Sequence, residues 1–112
     1  MSLEIKANKV KGVVVVKLLG SLDTNTAPDA ETEINKWLDN GALKMVINLE
    51  ETKYISSAGL RIFLITAKKM TASEGAVKFC CPNEVVQEIL DISGFSTILD
   101  VKKTEEEALS TL

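Results

Sequence analysis

LKMVINLEETKYISSAGLRIFLITAKKM, residues 43–70, holds the pattern on which the fold turns. Leu43 to Leu49 is a mostly apolar run with polar interruptions at Lys44 and Asn48, which reads as a strand. From Ser57 the period changes. Leu60, Phe63, Leu64, Ala67 and Met70 recur at helical spacing, Ile62 and Ile65 widen the stripe, and Lys68 and Lys69 fall in the last turn, where they complement the helix dipole. The spacing predicts a helix over 57–71, with residues 50–55 as the connection. A strand that runs straight into an amphipathic helix is the repeating unit of a parallel α/β sheet.

The same alternation extends in both directions. Leu3 to Ala7 alternates apolar and polar residues, and Asn8 to Gly12 reads as a turn. Val13 to Leu19 is β-branched and nearly all apolar, so it should be a strand buried on both faces and joined to the first as a hairpin. Gly20 to Asn25 reads as a loop. Thr26 and Asp29 form a capping-box pattern with Pro28 in the first turn, and residues 27, 30, 34, 37 and 38 share one helical face before the Asn40-Gly41 stop. Ala76 to Cys80 is a strand. Pro82 starts a third helix with apolar residues at 85, 86, 89, 90 and 92, ended by Gly94. Thr97 to Val101 reads as a short strand, and Thr104 with Glu107 caps a final helix carrying Ala108, Leu109 and Leu112. The predicted order is β-β-α-β-α-β-α-β-α: an α/β fold with a mixed sheet of about five strands and about four helices, in one domain spanning residues 1–112.

Composition narrows the function. Hydrophobic residues make up 46% of the 112, enough for a core, while aromatics are 4%, so that core is aliphatic. A net charge of −3 speaks against a nucleic-acid partner and against an anionic membrane surface. No apolar run approaches the roughly 18 residues of a spanning helix, and the N-terminus has no signal-peptide core, so the expected compartment is the cytoplasm. With no histidine, every histidine-based triad and the commonest metal ligand are gone. Cys80 and Cys81 are adjacent, point to opposite faces of a strand and read as a reduced pair. No cofactor, no metal and no catalytic residue is expected.

Ser56-Ser57 stands where the connection meets the second helix. A serine there serves as an N-cap, a role assigned to Ser57. The same position suits a phosphate, because a helix N-terminus offers unpaired N–H groups and a positive dipole end. Arg61, one turn on, can pair with such a phosphate or with an acidic partner. Gly59 in the first turn costs about 1 kcal/mol in helix propensity, which points to something close to the backbone there. Leu60 reads as core, with partner contact as the alternative.

Taken with the element order, these residues resemble the STAS domain family, and within it the single-domain bacterial anti-sigma factor antagonists. Gly20-Ser21-Leu22-Asp23 is similar to the family's turn before its first helix, Thr26-Ala27 follows it, and Leu49 to Ile55 is similar to the family's strand and loop. Ser56-Ser57-Ala58-Gly59-Leu60-Arg61 resembles its phospho-acceptor motif, with Ser56 in place of the usual acidic residue. The resemblance implies a phospho-acceptor at Ser57, with Ser56 as a minor alternative. It implies a contact surface of Ser21, Asp23, Thr24, Asn25, Ser56, Ser57, Ala58, Gly59, Leu60 and Arg61, with Asp23 on an exposed rim. The implied partners are an anti-sigma factor with serine kinase activity and a serine phosphatase. The unphosphorylated chain would bind the anti-sigma factor and so release a sigma factor. The chain would be the kinase's substrate, a monomer, and no enzyme.

Two other readings compete. One keeps the fold without phosphorylation, as a constitutive binding module in a signalling or lipid-transport complex. The other is an enzyme or nucleotide binder, with Glu50 and Glu51 holding magnesium. Against that one, the chain has no Gly-x-x-x-x-Gly-Lys-Ser/Thr loop, no Gly-x-Gly-x-x-Gly, and no acidic pair after its first strand.

Overall fold

A computed structural model describes residues 2–112. Strand β1 (Leu3–Val10) runs longer than the alternation suggested and turns at Lys11-Gly12 into β2 (Val13–Leu22). Both turn residues have positive φ, 51° and 82°, the type I′ geometry that matches the twist of a two-residue hairpin. Then follow α1 (Ala27–Asp39), β3 (Lys44–Asn48), β4 (Thr52–Ile55), α2 (Ser57–Ala72), β5 (Ala76–Cys80), α3 (Glu84–Ile92), β6 (Val101–Lys102) and α4 (Glu105–Ser110).

The strands join in one mixed sheet, ordered β1-β2-β3-β5-β6, in which β1 is antiparallel to β2 and the remaining pairs are parallel. β4 stands off this path. It continues the β3 side of β2, pairing in parallel with Gly20 to Leu22 after β3 has paired with Val14 to Lys17. The ladder shifts register between Gly20 and Ser21. Gly20 has φ 120°, and a Cβ there would lie 2.3 Å from the Ser2 carbonyl oxygen, on the side of β2 that faces β1.

Alternation along the strands separates two cores. Val14, Val16 and Leu18 face the side covered by α1, α2 and α3, with Met45, Ile47, Val77, Phe79, Ile34, Phe63 and Leu90. Val13, Val15, Val46 and Cys80 face the other side, where Ala108 of α4 covers them with Leu109 and Leu112 at the margin. Val13 to Val16 are therefore buried on both faces, as their composition predicts.

Four local expectations need correction. β4 is a sixth strand in what reads as a connection. Residues 97–101 form no strand: after Gly94 (φ 81°) the chain makes a single 3-10 turn, Phe95–Thr97, and only Val101-Lys102 pair. α3 begins at Glu84, two residues past Pro82, because Asn83 is its cap and accepts from Val86 N. Thr26 precedes α1 without capping it: its side chain makes no cap bond, and its hydroxyl points back into the preceding loop.

Candidate functional site

The end of β2, the loop 23–26 and the starts of α1 and α2 meet at one corner. Two backbone bonds anchor α2 there. Ser56 N donates to Leu22 O at 2.8 Å, and Leu60 N donates to Ser56 O at 2.9 Å. Ser56 is extended (φ −85°, ψ 173°), and its Oγ accepts from Gly59 N at 3.3 Å. Ser56 is therefore the N-cap, and Ser57, expected in that role, is the first helical residue. The cap is one residue earlier because Ser56 alone of the pair has the extended backbone that aims a side-chain oxygen at the first turn. The hydroxyl of Ser57 is left outside the capping arrangement, on an exposed residue.

The neighbouring loop is tied by its own side chains. Asp23 Oδ1 accepts from Asn25 N at 2.9 Å and from Thr26 N at 3.1 Å. Thr26 Oγ1 donates to Ser21 O at 2.8 Å and accepts from Asp23 N at 2.9 Å. These bonds, the Thr26 amide first among them, hold the Asp23 carboxyl below its ordinary pKa, so it remains an anion. Asp23 is half-buried and braces the loop as well as standing at its rim.

The contact surface implied by the sequence divides by depth. Thr24, Asn25, Ser57 and Arg61 are exposed; Asp23, Ser56 and Ala58 are half-buried. Ser21, Gly59 and Leu60 are buried beneath them. The close approach signalled by Gly59 comes from within. A Cβ there would lie 2.8 Å from Leu22 Cδ2 and 3.0 Å from Ile55 Cγ2.

Between the starts of α1 and α2 lies an open groove of about 280 Å³, lined by Thr24, Pro28, Glu31, Ser57, Arg61 and Ile65 among others. Ser57 and Arg61 are one helical turn apart on one face. Pro28, Glu31 and Ile65 were not anticipated. Ile65 looked like part of the core stripe, and its i+4 spacing from Arg61 was the signal that could have placed it here. Glu50 and Glu51 are exposed between β3 and β4, away from this groove's lining. Among the described residues no helix is long and apolar enough to cross a membrane.

The STAS domain model matches residues 4–108. The chain belongs to the STAS domain family. It is 32% identical over 106 residues to the protein described as anti-sigma factor antagonist BtrV of Bordetella bronchiseptica, covering 95% of this chain and 91% of that one. An anti-sigma factor antagonist from Mycobacterium paratuberculosis superposes with a TM-score of 0.91 at 24% identity, covering 98% of this chain and 93% of the other. The phosphorylated form of SpoIIAA, a Bacillus cell-fate determinant, superposes with a TM-score of 0.73 at 22% identity and 98% coverage of both chains. These two likenesses carry the fold: a mixed sheet with helices, in the same arrangement.

Proposed function

We propose that this STAS protein is an anti-sigma factor antagonist, cytoplasmic and without chemistry of its own, switched by phosphorylation of Ser57. The observation that carries the reading is the placement of Ser57. Its residue is exposed at the first position of α2, while Ser56 caps the helix and Gly59 and Leu60 lock it from beneath. A modification at Ser57 leaves these supports untouched. Ser56 is the poorer acceptor, because it is half-buried and its Oγ is already engaged with Gly59 N.

In this reading the unphosphorylated corner docks on an anti-sigma factor that is also a serine kinase, and a sigma factor is freed. Thr24, Asn25, Ser57 and Arg61 make the contact, with Asp23 beside them. Transfer of phosphate from the kinase's ATP adds roughly −1.5 to −2 charge at the centre of that surface. Burying this charge in the interface costs desolvation, so the partner leaves. A serine phosphatase restores the hydroxyl. The names of BtrV and SpoIIAA, and the solution of SpoIIAA both with and without phosphate, support the same cycle.

One feature favours a second reading, a constitutive binding module: Ser56 supplies no negative charge beside the acceptor. Peptide mass spectrometry of the protein from its own cells, under two growth conditions, separates the two. Phosphate on Ser57 with changing occupancy supports the switch; its absence in both conditions leaves the constitutive module. With the anti-sigma partner in hand, Ser57→Asp is expected to fold and lose binding, and Ser57→Ala to keep it. Full affinity in Ser57→Asp would rule the switch out.

A further inference from the structure

β1 is an edge strand that pairs with β2 alone among the described strands. It has 8 residues, no proline, and unbroken register from Leu3↔Gly20 to Val10↔Val13. Protein edges are ordinarily shortened, bulged, covered or guarded by proline or charge; this one is neither short, bulged nor proline-bearing, and its guard is the charge of Glu4, Lys6 and Lys9. The direction of its backbone groups follows from its neighbours. Ser21 N donates to Ser2 O, while Gly20 N donates to Glu51 O on the opposite side of β2. Even-numbered residues of β1 thus turn their N–H and C=O toward β2, and Leu3, Ile5, Ala7 and Lys9 turn theirs outward. The two-residue turn agrees, since it closes on Val10 and Val13 as a hydrogen-bonded pair.

The side chains on this edge are sorted by face. Leu3, Ile5 and Ala7 are half-buried against the main core. Glu4 and Lys6 are exposed on the opposite face, with Lys6 Nζ 3.8 Å from Glu4 Oε2. We propose that β1 pairs antiparallel with β1 of a second copy of this chain, about a two-fold axis at Ile5. Pairing through the outward groups requires odd residues opposite odd residues. With Ile5 opposite Ile5, Leu3 meets Ala7, and each Glu4 meets the second copy's Lys6. Shifting the axis to residue 4 sets Glu4 against Glu4, and shifting it to residue 6 sets Lys6 against Lys6. Opposite charges on facing strands attract and like charges repel, so one register is selected and its neighbours are penalised. The pairing also continues the apolar layer of Leu3, Ile5 and Ala7 across the axis. A single strand edge buries less than the roughly 1,200 Å² of stable complexes, so the dimer is weak and concentration-dependent. This departs from the monomer expected from the sequence, and it does not depend on the proposed switch.

Sedimentation velocity on the full chain, from tens of micromolar to about 1 mM, tests it. The expected result is a sedimentation coefficient that rises to that of a dimer. Glu4→Lys and Lys6→Glu each place like charges across the axis and should weaken the dimer about tenfold. Mixed together, the two variants carry opposite charges at every facing position and should associate again. Ala7→Pro removes an outward N–H without touching the ladder to β2, and should leave a monomer with unchanged circular dichroism. A monomer at every concentration overturns the proposal. So do charge variants that dimerise like the parent, a mixture that fails to associate, or an Ala7→Pro dimer.

Discussion

Gly59→Ala sets two opposed effects against each other. Alanine in place of glycine gains at most about 1 kcal/mol of helix propensity, and less in a first turn. The new methyl would sit 2.8 Å from both Leu22 Cγ and Cδ2, and 3.0 Å from Ile55 Cγ2, against the 3.5–4.0 Å of ordinary carbon contacts. Leu22 is 0% exposed and Ile55 2%, so both side chains are enclosed by the core and cannot swing out into solvent. Overpacking of this kind costs about 1–3 kcal/mol. Packing should win, with a net loss of about 1–2 kcal/mol and a urea midpoint lower by roughly 0.5–1 M. A double-mutant cycle sharpens the test. Leu22→Ala alone should cost about 2–5 kcal/mol. In that background the Gly59 methyl enters vacated space, and the same substitution should become neutral or stabilising. The coupling should be about 1–3 kcal/mol. A Gly59→Ala protein more stable than the parent would refute the reasoning, as would an equal cost in both backgrounds.

Two further outcomes follow from the site and the sheet. Ser56→Ala should lose about 1 kcal/mol with the N-cap, while Ser56→Asp should hold or gain, since its carboxylate both caps and meets the positive end of α2. Urea unfolding of the two variants checks this, and equal stability of Ser56→Ala and parent would remove the capping role. Asp100 accepts from Lys78 Nζ and lies 3.2 Å from Lys102 Nζ, and the Lys78 bond in particular holds its carboxyl below the ordinary range. A depressed carboxylate contributes stability above the unfolded pKa of about 3.9 that is lost as pH falls through the folded value. Stability should therefore drop below about pH 4, with Asp23 acting in the same direction, and Asp100→Asn should flatten that acid limb. An unchanged limb would show that the pair does not couple to folding.

Long periodic segments were the legible part of this molecule. α2 and β5 fall where their patterns place them, because each carries enough apolar residues to define a face without help from elsewhere. β4 was hidden for a physical reason. Its four residues follow two glutamates and owe their strand form to Gly20, Ser21 and Leu22, more than 30 positions earlier. Residues 97–101 failed the other way. Ile98 and Leu99 look strand-like, but the left-handed Gly94 sends the chain into a tight turn, and Leu99 alone becomes buried. At the site, the serine pair was visible but its division of labour was not. Two adjacent identical side chains compete for one cap, and only the backbone angle at Ser56 decides between them. The burial of Ser21, Gly59 and Leu60 likewise depends on how α2 packs against the end of β2, which no local pattern records.

The helix on the sheet's sparse face gives the protein a chemical clock. Cys80 is 0% exposed beneath Ala108 of α4, and burial pushes its thiol well above the ordinary range, whereas the adjacent Cys81 is only half-buried. An alkylating reagent meets Cys81 on the folded surface but reaches Cys80 only when α4 lifts away. Two reaction phases from neighbouring residues would then separate thiol chemistry from helix opening. The slower phase would count how often α4 leaves the sheet, with no residue substituted.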